Sequence, residues 1–181
     1  LDEAKQKVRE TVEEKNPNIP AKEKELISEI VGIGAIKYFD LSQNRTSPII
    51  FEWEKVLSFE GNTGPYLQYT YARIKSIFRK FKEENIEYTK NSKIILESDI
   101  EKDLALVLLN FPNVVVKAAE SYRPNLIADY LFETARAFNT FYNSKSILKE
   151  ENKDIMNSRI TLSDKTVYIL KTGLHLLGIK I

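Results

Sequence analysis

The sequence predicts an all-α protein, with a short helical connecting region over residues 1–60 and a helical bundle over residues 61–181. Three observations carry this. Apolar residues recur at three- and four-residue spacing through successive long stretches, the period of a helix that buries one face. Clusters of proline, glycine and asparagine separate those stretches. Only one run, Ile49-Ile50-Phe51-Glu52-Trp53, reads as a short extended segment.

Residues 1–14 pattern as a polar helix with Val8 and Val12 four apart, and Asn16-Pro17-Asn18-Ile19-Pro20 breaks it. A second helix from about Ala21 carries Leu26, Ile27, Ile30, Val31 and Ile33 on to Tyr38. Gly32, Gly34 and Ala35 within it would let another backbone come close. Ser47-Pro48 ends whatever precedes it. Trp53 reads as a packing anchor between the two parts of the chain.

A glycine-rich turn then runs straight into a strongly amphipathic helix. Gly61 and Gly64 permit angles that a Cβ resists, Asn62 or Thr63 can accept from the free N–H groups of a helix start, and Pro65 presets the first turn. The helix should begin at about residue 63 or 64. Leu67, Ile74, Ile77, Phe78 and Phe81, with Tyr71, form its apolar face; Lys75, Arg79 and Lys82 flank it on one side, Arg73 and Lys80 on the other. A glycine turn opening a helix also suggests phosphate binding, but neither the Walker spacing nor G-x-G-x-x-G is present, so it reads as a structural entry turn.

After a polar connection, Asp99 can cap a helix with Ile100, Leu104, Val107, Leu108 and Phe111 on one stripe; Pro112 must kink or restart it. Tyr122-Arg123-Pro124-Asn125 turns the chain, with Pro124 near a first helical position. Ile127, Leu131, Ala135, Phe138 and Tyr142 share one face of the next helix. An aromatic stripe of this kind is ordinarily core, and Phe138 and Phe141 read so. Tyr142 beside Asn143, at the helix tip, is also a platform on which an unstacked base could sit. The last helix, from about residue 155, carries Ile160, Val167, Leu170, Leu174 and Leu177 and ends at Gly178.

Composition bounds the chemistry. With no cysteine there is no disulfide scaffold, thiolate metal site or cysteine nucleophile, which fits a reducing compartment. No apolar run is expected to reach the ~18 residues that span a bilayer, and no signal peptide is evident. The single histidine, His175, lacks the cluster a metal site needs, and Glu13-Glu14, Glu83-Glu84 and Glu150-Glu151 are adjacent and so point apart, unlike a catalytic pair. Asn44-Arg45-Thr46 matches a glycosylation acceptor that a chain without a secretion signal would not use. No catalytic or metal-ligating set is therefore expected. Charge is uneven: residues 1–60 hold 9 Lys/Arg against 12 Asp/Glu, and residues 61–181 hold 18 against 14. The modest cationic excess of the second part is compatible with a phosphate backbone nearby, but alone it fits ordinary solvated helix faces equally. Residue 1 is Leu and the only methionine is Met156, so the chain reads as an excised piece.

The run FEWEKVLSFEGNTGPYLQYTYAR, Phe51 to Arg73, resembles the junction between the catalytic and anticodon-binding domains of class I arginyl-tRNA synthetases of bacterial type. Asp40 to Arg45, Leu109-Asn110-Phe111-Pro112, Ala128 to Glu133 with Phe138 to Tyr142, and Gly173 to Ile179 are similar to that family in the same order. Two departures stand out. Thr161 occupies a position where a small residue is expected, with little consequence foreseen, and the family's longer tail is not seen beyond Ile181. Cysteinyl and related class I enzymes share a similar bundle, but Glu60 to Arg73 is specifically arginyl-like.

The resemblance implies an antiparallel bundle of about four to five helices that grips an anticodon stem and loop. It implies arginine-accepting tRNA as partner, with no role for DNA or a membrane, and a monomeric, cytoplasmic parent enzyme. That enzyme would use ATP, with Mg, and L-arginine; its two ATP-binding signatures are absent here, the second expected shortly before Leu1, and this piece would hold no cofactor and be inactive alone. Arg73, Lys75, Arg79 and Lys82 are the expected phosphate contacts, and Tyr142, Asn143 and Asn139 the expected base contacts. The alternative is a helical interaction or structural module with no RNA role.

Overall fold

The computed structural model describes residues 1–181 except Arg45, Ser47 and Lys90. The Asn44-Arg45-Thr46 acceptor, the end of the Asp40 to Arg45 block and the Ser47-Pro48 stop fall on these and so lie outside the described residues. Among the described residues there are eight helices and no strand: α1 (Asp2–Lys15), α2 (Ala21–Ser42), α3 (Trp53–Val56), α4 (Gly64–Glu83), α5 (Asp99–Leu109), α6 (Phe111–Ser121), α7 (Asn125–Ser144) and α8 (Lys153–Leu176). Helices α4, α5, α7 and α8 pack into an all-α bundle with α6 laid on α7, and the α1–α2 hairpin joins it through α2 against α4 and α7.

The hairpin is tight because Gly32 has no side chain. A Cβ there would stand 3.0 Å from the backbone carbonyl of Ala4, so the two helices touch main chain to side-chain-free surface. Lys24 closes the turn, donating to the carbonyl of Pro17 at 3.0 Å and pairing with Glu13 at 3.2 Å. The segment expected to be extended is not a strand: Trp53 opens the one-turn helix α3. The ring of Trp53 packs edge-on to Phe51 at 4.8 Å and lies under Lys7 at 5.6 Å, both in the N-terminal part.

Helix α4 starts at Gly64 because Thr63 caps it, its hydroxyl accepting from the amide of Tyr66 at 3.2 Å and donating to the carbonyl of Ser58 at 2.6 Å. Of the two glycines in this turn, only Gly61 uses a positive φ, +79°. Gly64 is small for another reason, since a Cβ would sit 3.0 Å from the carbonyl oxygen of Gly34 and from Cβ of Tyr38. Asn62 does not cap the helix; it accepts from the hydroxyl of Tyr38 at 2.5 Å, and that hydroxyl also lies 2.9 Å from the carbonyl of Ala128 on α7. The predicted face is the core: Leu67, Ile74 and Phe81 are fully buried and Ile77 nearly so, against Leu131, Phe138, Phe141, Ile160 and Leu170.

The polar connection after α4 is fastened to α8 by side chains. Ser158 both donates to and accepts from the backbone of Ile95, at 2.9 and 2.8 Å, and Asn157 accepts from the amide of Thr89 at 2.8 Å. Thr161, expected to matter little, is buried and accepts from the amide of Ser92 at 3.2 Å. Alanine or glycine at this position would remove that acceptor. The cap of α5 is Ser98 rather than Asp99; Ser98 and Glu101 form a capping box. The chain breaks at Asn110, with Pro112 in the first turn of α6, as proline requires. Counted through that break, Asp99–Ser121 is by length and composition long and apolar enough to cross a membrane, against expectation. Its residues divide instead: Leu104 and Ala118 are buried, while Leu106, Leu109 and Val116 are exposed. Tyr122, not a glycine, takes the left-handed position that ends α6, and Pro124, near the first helical position as expected, is the N-cap of α7. Asn152 caps α8 two residues earlier than expected. Gly178, at φ +68°, closes it in a Schellman arrangement, with Ile179 bonded back to Leu174 and Gly178 to His175.

Candidate nucleic-acid interface

Where α4 lies along α7, the sequence places a cation among aromatic rings. Arg73 is half-buried; its Nη1 donates to Oδ1 of Asn139 at 2.7 Å and its Nη2 to the hydroxyl of Tyr69 at 3.1 Å. Its guanidinium lies 4.8 Å from the Tyr69 ring centre and 5.6 Å from that of Tyr142, so it is held between residues of the two helices. Asn139 is the joint. Its Nδ2 donates to the Tyr66 hydroxyl at 2.8 Å and to Oγ1 of Thr70 at 3.3 Å, leaving its amide fully engaged with α4. Tyr142 is half-buried with one face on the fully buried Phe138, ring centres 6.0 Å apart and nearly parallel. The groove continues outward, Phe59 packing edge-on against Tyr69 at 6.3 Å, and along α7, where Phe132 meets Tyr66 at 5.6 Å and lies under Arg136 at 5.8 Å. Phe59 and Tyr69 are 44% and 47% exposed, enough for their faces to receive a stacked base.

Three of the expected site residues, Arg73, Asn139 and Tyr142, are thus brought together. Asn143 follows at the exposed end of α7. Lys75, Arg79 and Lys82 are exposed but lie on the opposite flank of α4, roughly half a turn around the helix from Arg73, and Arg79 faces Glu83 at 3.7 Å. Sequence reasoning passed over Tyr66 and Tyr69, although positions 66, 69 and 73 have the three-and-four spacing that shares a face. Phe132 and Arg136 carry the same signal on α7, four apart. Among the described residues no group of three or more His, Cys, Asp or Glu side chains is placed to hold a metal ion. Nothing in this groove offers a nucleophile with a base; what it offers is flat π-faces, amide and guanidinium donors and positive charge.

Ring faces, amides and a guanidinium gathered on a helical bundle are groups of the kind that contact unstacked bases and phosphates, and comparison with known proteins gives the chain's family. Residues 67–181 match the family model described as DALR anticodon binding domain, and the chain belongs to that family. Residues 1–53 match the catalytic domain of class I (R) tRNA synthetases. An arginine–tRNA ligase of Fusobacterium nucleatum is 55% identical over 183 residues, covering all of this chain and 32% of that protein. One from Escherichia coli is 45% identical over 180 residues, covering 99% of this chain and 31% of the relative. The chain therefore spans about a third of the length of the curated relatives it matches. Among solved structures, Thermus thermophilus arginyl-tRNA synthetase superposes with a TM-score of 0.85 at 35% identity, over 98% of this chain and 30% of that one. The Plasmodium falciparum enzyme gives 0.79 at 29% identity, over 99% and 32%.

Proposed function

We propose that this chain is the anticodon-binding part of an arginine–tRNA ligase, and that the α4–α7 groove receives the anticodon stem and loop of an arginine-accepting tRNA. The observation that carries this reading is Arg73, bonded to Asn139 and held between Tyr69 and Tyr142. A guanidinium and ring faces, fixed in one place, suit unstacked bases of a single-stranded loop. Arg73 and, across the helix, Lys75, Arg79 and Lys82 contact phosphate and position the RNA; Tyr142, Asn143 and the rings beside them contact bases. Asn139 acts mainly through Arg73 and Tyr66. The whole enzyme would attach L-arginine to tRNA at the expense of ATP, with Mg, as a cytoplasmic monomer in translation; of its catalytic domain this chain carries the short stretch matched by residues 1–53. A boundary between the two parts at residues 60 and 61 is supported by its falling in the interval between the segments that the two family models match, 1–53 and 67–181.

The test is a titration of the chain against arginine-accepting tRNA and a tRNA of different anticodon, at two salt concentrations. Preferential binding of the arginine acceptor, weakening as salt rises, is expected. Equal or absent binding of both would overturn the assignment of this groove.

A further inference from the structure

The site described above ends at the tip of α7, and the segment that follows is anchored in the core by Ile147 and tied to α8 by hydrogen bonds to one buried side chain. Arg159, on α8, is 5% exposed. Its Nε donates to Glu101 at 2.9 Å, Nη2 to Glu97 at 3.3 Å, and Nη1 both to the carbonyl of Ser146 at 2.9 Å and to Glu150 at 2.5 Å. Glu101 alone, fully buried, balances the charge of Arg159. Charge balance therefore does not account for Glu150, whose side chain is 21% exposed, or for the bond to Ser146. Both additional bonds land on the stretch between α7 and α8, beginning four residues after Tyr142. Within that stretch the amide of Lys145 returns to the carbonyl of Phe141, Oγ of Ser146 accepts from the amide of Lys149, and the other oxygen of Glu150 accepts from the amide of Asn152, which caps α8. The result is an unbroken series of short bonds from the α7 tip to the α8 start, with Arg159 at its centre.

We infer that the Arg159–Glu150 pair is a positioning device for RNA recognition: it fixes the exit of α7, and so the placement of Tyr142 and Asn143, at a site where the fold itself does not need a third carboxylate. The inference rests on the reading of the α4–α7 groove as the anticodon site. Recognition built on base stacking is sensitive to displacements of about 1 Å, whereas non-specific phosphate attraction is not.

Two substitutions isolate this role. Glu150→Gln and Glu97→Gln make the same charge change beside the same guanidinium, but only Glu150 holds the loop. In the full 181-residue chain, Glu150→Gln is expected to lower affinity for arginine-accepting tRNA by about fivefold or more and to leave affinity for a tRNA of different anticodon, and the salt dependence, unchanged; Glu97→Gln should change neither. Melting curves of both variants should match the parent. Tyr142→Ala, run alongside, separates the two claims. If Tyr142→Ala abolishes the preference while Glu150→Gln retains it, the groove stands and the positioning role falls. It falls too if both glutamine variants lose affinity equally. A parent chain that shows no preference overturns the groove and the inference together.

Discussion

At the scale of single residues, the site is a set of side chains that hold one another before any ligand arrives. Tyr142 backs onto Phe138 and faces Arg73, so its ring is preset. Tyr142→Ala should weaken binding of the cognate tRNA by about 1–3 kcal/mol, the usual worth of one stacked base, read by titration of a variant that still unfolds cooperatively. Thr161 belongs to stability instead. Thr161→Ala removes the acceptor for the Ser92 amide and should cost about 1–3 kcal/mol in a denaturant titration, with tRNA preference intact; no change in stability would show that water replaces the hydroxyl. Tyr66, Tyr69 and Arg73 share one helix face by their spacing, although of the three only Arg73 was an expected contact from the sequence. Asn139 was legible only as a polar residue near Tyr142: that its amide is consumed by Tyr66, Thr70 and Arg73 depends on how closely α7 approaches α4, which no local pattern encodes.

At the scale of helices, periodicity separates faces but does not say what stands opposite them. The spacing along α4 puts Arg73 and Lys80 on one flank and Lys75, Arg79 and Lys82 on the other; packing turns the first flank toward α7 and its rings. Consequently Lys75→Ala with Lys82→Ala should weaken cognate and non-cognate tRNA to the same degree and lower the salt dependence by roughly one counterion for each phosphate that the two lysines neutralise. Arg73→Ala should in addition reduce the preference between them. If the lysine pair leaves the salt dependence untouched, that flank does not meet RNA. The hairpin makes a different test. Gly32→Val places atoms against the Ala4 carbonyl that Gly32 now merely touches, and should destabilise the chain by about 1–3 kcal/mol as α1 is pushed from α2. The short α3 shows the limit of reading such elements: Ile49 to Trp53 is rich in strand-forming residues, yet among the described residues no partner strand exists to pair with it; Glu52 keeps an extended backbone and the chain turns helical only at Trp53.

For the molecule as a whole, buried ionisable groups set the pH range of stability. Burial works against ionising Glu101, but the hydrogen bonds from Arg159, the Ser98 hydroxyl and the amides of Glu97 and Ser98 prevail and hold its carboxyl below its ordinary value. That stabilisation is present above about pH 4.5 and is lost as the pH falls through the lower, folded-state value. At the other end, burial, with the nearby charge of Glu133 adding to it, pushes the Tyr130 hydroxyl up to about 12 although Thr134 pulls the other way, and burial and Asp129 push Tyr38 further. A tyrosine kept neutral by the fold contributes stability below pH 10 that is lost as the pH rises toward the folded-state value. Denaturant midpoints should therefore form a plateau that falls off on both sides, and Tyr130→Phe should flatten its alkaline limb; a limb unchanged in that variant would assign it to other groups. The sequence by itself determined the long helices, most of their ends, the core face of α4 and α7 and the family resemblance, because apolar period, proline and glycine positions and a contiguous motif are local properties of the chain. Only the tertiary structure decided which cation enters the aromatic groove, that Thr161 secures the connection to α8, and that Arg159 ties three carboxylates together. Each of those depends on side chains distant in sequence meeting at hydrogen-bond range, and it is the packing of whole helices that brings them there.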